Sequence, residues 1–169
     1  MRRLCLILLV GLVAVPAALA ARGATGDGAL ELRDVYGNVS LSGEGVLWGQ
    51  MDKGALIVTD PVTTDGDVSV TGADKPPKTL PDGSVLYVGR AMTFRITGGT
   101  YKLQFNNGNG IDLTTVGVGK ATILPSLTVV DDGDYALDGG KWKSVPLLDP
   151  LTVKFGTPKP PPTTTTTGP

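Results

Sequence analysis

Past residue 20, no window of about eleven residues keeps apolar side chains at helical spacing without a glycine or proline inside it. That property removes the helical fold classes and leaves β-structure. The 169-residue chain holds 24 glycines and 13 prolines, and both residue types weaken helices. Between these breaks lie short runs rich in β-branched and aromatic residues: Leu30–Tyr36, Val39–Ser42, Val46–Gln50, Ala55–Thr59, Val68–Thr71, Val85–Gly89, Met92–Thr97, Thr100–Asn106, Lys120–Leu124, Leu127–Val130, Tyr135–Leu137 and Lys141–Val145. Turn signals recurring at this spacing predict an all-β fold: a single antiparallel β-sandwich or barrel-like domain of about nine to twelve short strands.

The pair Gly98-Gly99 between two alternating runs predicts a two-residue type I′ hairpin, in which both residues take positive φ. The resulting register faces Ile96 with Tyr101, Phe94 with Leu103 and Met92 with Phe105, so that large apolar pairs share one face and mark it as core. Thr93, Arg95, Lys102 and Gln104 fall on the opposite face by parity. Arg95 and Lys102 then stand across from each other. Like charges so placed cost stability, which makes them candidate ligands for an anion such as a wall polymer, against the plainer reading of a solvated sheet face.

The first twenty residues have the pattern of a cleavable export signal: Arg2 and Arg3, an apolar stretch from Leu4 to Val15, and Ala18-Leu19-Ala20 before the cut. The apolar stretch is shorter than the roughly 18 residues a membrane span needs, so no transmembrane segment is expected in the mature chain. The expected location is extracellular or associated with the cell envelope. Cleavage after Ala20 removes Cys5, the only cysteine, and the chain has no histidine. An exported domain without disulfides fits bacterial export better than eukaryotic secretion. The expected organisation is a signal peptide at 1–20, a glycine-rich leader at 21–28, an all-β domain at 29–156 and a Pro/Thr-rich tail at 157–169.

The missing residue types restrict chemistry. Without His or Cys there is no Ser-His or Cys-His nucleophile pair and no Cys/His zinc site. Carboxylate chemistry survives, and a glycosidase-type pair of acids is its simplest form. The signal holds two basic residues and no acidic one, so processing moves the formal charge of −1 further negative. No basic stripe marks a nucleic-acid partner.

Three groups of residues are worth placing in a structure. Trp142 alternates with Lys141 and Lys143 and is a candidate platform for a sugar ring, although the same alternation suits a core tryptophan between outward lysines. Trp48, within Val46-Leu47-Trp48, reads as core. Asp131, Asp132 and Asp134 form the denser of two aspartate clusters that could supply oxygens to calcium; Asp60, Asp65 and Asp67 form the other. Asp-Gly turns explain both clusters without a metal. The segment Asn107-Gly108-Asn109-Gly110-Ile111-Asp112 resembles a single copy of the calcium-binding nonapeptide repeat, with Asn107 in place of its first glycine. Its simpler reading is a glycine-rich loop after Asn106 that uses positive φ.

Residues 157–169 are Thr and Pro apart from Lys159 and Gly168, a composition that favours an extended, solvated spacer. This stretch resembles the Pro/Thr-rich linkers of secreted bacterial surface proteins and cellulase-type enzymes. Phe94 to Gly119 is similar to stretches of secreted bacterial proteins to which no function attaches. Together these features lead to an exported, non-catalytic β-domain with a binding or structural role. The alternatives are a carbohydrate-binding module for a wall or extracellular polysaccharide, and a small carboxylate-dependent hydrolase.

Overall fold

A computed structural model describes residues 26–126 and 133–157. The segment 1–20, the leader up to residue 25, the run Leu127–Val130 and the tail beyond Thr157 lie outside the described residues. The strands are β1 (Gly28–Thr59), β2 (Val68–Ala73), β3 (Lys78–Thr79), β4 (Val85–Ile96), β5 (Thr100–Pro125), β6 (Asp134–Leu137), β7 (Lys143–Ser144) and β8 (Leu151–Phe155). All pair antiparallel in one sheet that does not close into a barrel, and no helix occurs among the described residues.

Two strands are much longer than the runs expected from sequence: β1 has 32 residues and β5 has 26. The four runs between Leu30 and Thr59 are one continuous strand. The breaks between them are corners, not turns. At one corner Gly45 (φ 139°) lies opposite Gly117 (φ 147°). A Cβ on either residue would run into the backbone carbonyl of the strand across, that of Val116 or Glu44, so only glycine lets both strands bend at one level.

These bends fold the sheet over on itself. In one half the order is β7, β6, residues 28–33 of β1, 109–117 of β5, 46–53 of β1, 89–96 of β4, and β2. In the other it is β8, residues 118–125 of β5, 37–44 of β1, 100–106 of β5, 55–59 of β1, 85–88 of β4, and β3. The inward side chains of both halves join in one core, with Leu30, Leu47, Met51 and Phe94 from the first and Leu41, Leu56, Leu103 and Phe105 from the second. Phe94 and Phe105 meet across it with ring centroids 5.2 Å apart and planes tilted by 58°.

The expected Gly98-Gly99 hairpin does not form. Only Gly99 has positive φ (84°), whereas a type I′ turn needs both residues there. The Gly98-Gly99 link instead carries the chain from one half of the sheet to the other, held by Gly45 N–H donating to the Gly99 carbonyl and Thr100 N–H donating to Asp65 Oδ2. β4 and β5 each pair with β1. The face assignment survives this correction, because Met92, Phe94, Ile96, Tyr101, Leu103 and Phe105 are all buried while Thr93, Arg95, Lys102 and Gln104 are exposed. Parity is a property of each strand alone and does not depend on its partner. The Asn107–Asp112 segment is likewise no loop. It continues β5, kinked by positive φ at Asn107 (49°) and Gly110 (60°).

A buried polar chain ties the halves together. Thr115 Oγ1 donates to the Val46 carbonyl at 3.0 Å, which leaves the Tyr101 hydroxyl to donate to Thr115 Oγ1 at 2.5 Å. Burial pushes the Tyr101 phenol above its ordinary value, only partly offset by the Thr115 bond. Above the unfolded tyrosine pKa of about 10, the unfolded chain loses this proton while the folded chain keeps it. The stabilisation is therefore complete below about pH 10 and is lost as pH rises through the folded value, with a slope of at most about 1.4 kcal/mol per pH unit. Urea midpoints measured from pH 9 upward should fall more steeply for the wild type than for Tyr101→Phe. Parallel curves would show that the buried phenol does not carry the alkaline limb.

Candidate functional site

On the outward face of the first half, register sets two rows of side chains next to each other. One row runs Glu31, Thr114, Trp48, Arg95 and Ser69 across five neighbouring strand segments. The next brings Arg33 beside Asp112, followed by Gln50, Thr93 and Thr71. Most of these residues, with Trp142 from the segment before β7, line an open depression of about 600 Å³. A smaller hollow continues it past Trp48 and Arg95 toward Thr97.

A β-bulge shapes the depression. Leu32 pairs with Leu113 and Val35 with Ile111, so Arg33 and Asp34 of β1 together oppose Asp112 alone. Such a bulge re-aims the side chains it contains. Asp34 takes φ 51°, a conformation that aspartate tolerates better than most residues, and its N–H donates to Asp112 Oδ1 at 2.7 Å. Gln50 Nε2 donates to Asp112 Oδ2 at 3.0 Å. Both oxygens of Asp112 are thus held, and the carboxylate serves as a strut between the two β1 segments beside it.

Arg33, turned outward by alternation with buried Leu32, forms an ion pair with Asp134 at 3.0 Å and lies 4.2 Å from the centre of the Trp142 ring. Ser144 Oγ donates to the other oxygen of Asp134 at 3.1 Å. An ion pair this exposed adds little stability. Its consequence is orientation: Ser144, Asp134 and Arg33 hold one face of an indole that remains 40% exposed. Trp48 is half-buried at the centre of its row, between Thr114 and Arg95. Among the described residues Arg95 and Glu31 make no ion pair, so a guanidinium and a carboxylate lie open in the same row as the indole.

The structure thus brings Trp142 and Arg95 to one depression, with Asp134 beside its Trp142 end through Arg33. Lys102 does not join them, since it pairs with Ser42 and Thr59 in the other half. The expected pairing of Arg95 with Lys102 is corrected accordingly: Arg95 faces Trp48 and Ser69, because the chain changes halves between the two residues. Asp131 and Asp132 of the calcium candidate lie outside the described residues, and both oxygens of Asp134 are engaged as given above. In the second aspartate cluster, Asp60 accepts from Val62 N–H and Asp65 from Thr100 N–H, while Asp67 N–H donates to Thr97 Oγ1. Among the described residues no group of three acidic side chains is placed to hold a metal ion.

Trp48 is the main residue that the sequence reading misplaces. Leu47 is the core residue, and parity turns its neighbour outward. The spacing of Leu47 and Met51, both fully buried, is the signal that identifies it. Glu31, Arg33, Gln50 and Asp112 have no such local signal, because they meet only through pairings between distant segments. The chain matches no protein-family model, no curated protein and no solved structure.

Proposed function

We propose that this protein is an exported, non-catalytic binding domain that takes a wall or extracellular polysaccharide on the outward face carrying Trp48 and Trp142. The observation that carries the reading is the composition of one depression: two accessible indoles, one of them braced by Arg33, with the Glu31 carboxylate between them and the Arg95 guanidinium beyond Trp48, neither of these two charges in an ion pair among the described residues. Indole faces suit the apolar faces of sugar rings, and the open polar groups suit ring hydroxyls. A few oriented polar groups among aromatic side chains are the general form of a small-molecule site.

The test is a pull-down of mature protein on insoluble polysaccharides and cell-wall fractions. Retention should be saturable for at least one of them. Trp48→Ala and Trp142→Ala should each weaken it by about thirtyfold, the loss of roughly 2 kcal/mol that marks a dominant aromatic contact. Retention unchanged in both variants would overturn the reading.

The hydrolase reading has one observation in its favour. Glu31 and Asp112 are diagonal neighbours on adjacent strands, a spacing of about 7 to 8 Å between backbone positions in a regular ladder, and both line the depression, which puts two acids on one open face as glycosidase chemistry needs. Against it, both oxygens of Asp112 are occupied by Asp34 and Gln50. Release of reducing sugar that disappears in Glu31→Gln would favour the hydrolase over the binding domain.

A further inference from the structure

The outward face of the second half carries a different kind of surface. Register places Lys154, Lys120, Ser42, Lys102 and Thr59 in one row across β8, β5, β1, β5 and β1. All three lysines are exposed, and Lys120 stands directly opposite Lys154. Like charges directly opposite on neighbouring strands are destabilising. None of the three forms an ion pair among the described residues. The next row is polar at Thr152, Thr122, Ser40 and Gln104 and turns apolar at Ile57, and Thr122 and Thr152 hydrogen-bond through their hydroxyls at 3.1 Å. The acids beside this row are Glu44, two residues along β1 from Ser42 and opposite Thr100 and Val118, and Asp65, whose carboxylate is taken up by Thr100 N–H. A chain of net negative charge therefore concentrates unpaired cations on one sheet face.

We infer that this row is a second binding surface, for an anionic polysaccharide lying across the strands. Successive lysines are one and two interstrand steps apart, about 5 and 10 Å, so an extended polymer with regularly repeated charges can meet all three. The short hydroxyl and amide side chains alongside match sugar hydroxyls. No aromatic residue stands in either row to stack a base, as single-stranded nucleic-acid sites require. No large apolar residue stands in the lysine row to enter a bilayer. This surface shares no residue with the Trp48 and Trp142 depression, so the two sites stand or fall separately.

The probe is sodium polygalacturonate, titrated against mature protein by calorimetry at low and at physiological salt, with neutral dextran and anionic phosphatidylglycerol vesicles as comparisons. The expected result is saturable polygalacturonate binding that weakens with salt, falls at least tenfold in the triple variant Lys102→Ser, Lys120→Ser, Lys154→Ser, and is unchanged in Trp48→Ala. The triple variant should melt no lower than the wild type, because it removes exposed like charges, and that confirms its fold. Dextran should not compete. The inference is overturned by no polygalacturonate binding to the wild type, by undiminished binding to the triple variant, or by tighter binding to the vesicles than to the polymer. Loss of binding in Trp48→Ala with the lysines intact would also overturn it, by assigning the polymer to the other face.

Discussion

Phe94→Ala should lower the unfolding free energy by about 3 to 5 kcal/mol, while Arg95→Ala, one residue along the same strand, should change it by less than about 0.5 kcal/mol. Phe94 is buried and packs its ring against Phe105 from the opposite half of the sheet. Truncation removes the aromatic contact and leaves a cavity where the halves meet, which neither half can fill without moving. Arg95 projects outward and makes no ion pair among the described residues. Urea denaturation of the two variants measures both values. Similar losses for the two would mean that β4 does not present alternate residues to core and solvent.

Gly117→Val should have a larger effect than Arg95→Ala and abolish cooperative folding at ordinary temperature. Gly117 combines φ 147° with a Cβ position already taken by the Glu44 carbonyl. The obstruction is backbone, not a flexible side chain, so relief requires β1 and β5 to part at the corner. Those two strands pair on both sides of that corner, so parting them disturbs both halves of the sheet. The expected cost exceeds about 4 kcal/mol, in the range reserved for failures of backbone or core. Circular dichroism and a denaturation curve would show it. A variant that unfolds cooperatively near the wild-type midpoint would refute the corner geometry.

These two residues also show which parts of the architecture are legible in the chain. The alternation around Phe94 places it in the core whatever strand lies beside it, since side-chain parity belongs to the strand. The glycines at 45 and 117 mark real interruptions, but local pattern does not distinguish a turn that ends a strand from a corner that bends one. Only the cross-strand partner decides, and Gly45 meets its partner 72 residues later in sequence. The Gly98-Gly99 pair fails for a related reason: the geometry of a tight hairpin is available to it, yet pairing with β1 offers both flanking strands more. β8 is legible in the alternation Leu151-Thr152-Val153-Lys154-Phe155, with Val153 and Phe155 buried, although it falls outside the expected runs.

The site is less legible than the fold. Trp142 and Arg95 stand out singly, one as an aromatic among charges and the other as a cation on an outward strand face. Trp48 is hidden by its apolar neighbours until Leu47 and Met51 set the parity. Arg33 meets Trp142 only because β6 pairs with both β1 and β7, and the bulge beside it depends on two residues opposing Asp112; neither relation is contained in a single segment. The lysine row has the same origin, as Lys102, Lys120 and Lys154 align only because β5 passes β1 twice.

If the face with Trp48 and Trp142 is the ligand-binding surface, both indoles should report the ligand. The chain has two tryptophans, so ¹⁵N-labelled protein should give two indole N–H signals, assigned by the single variants Trp48→Phe and Trp142→Phe. Titration with the polysaccharide that retains the protein in pull-down should move both signals along one saturable curve. Binding of that polysaccharide with both indole signals unmoved would contradict the claim.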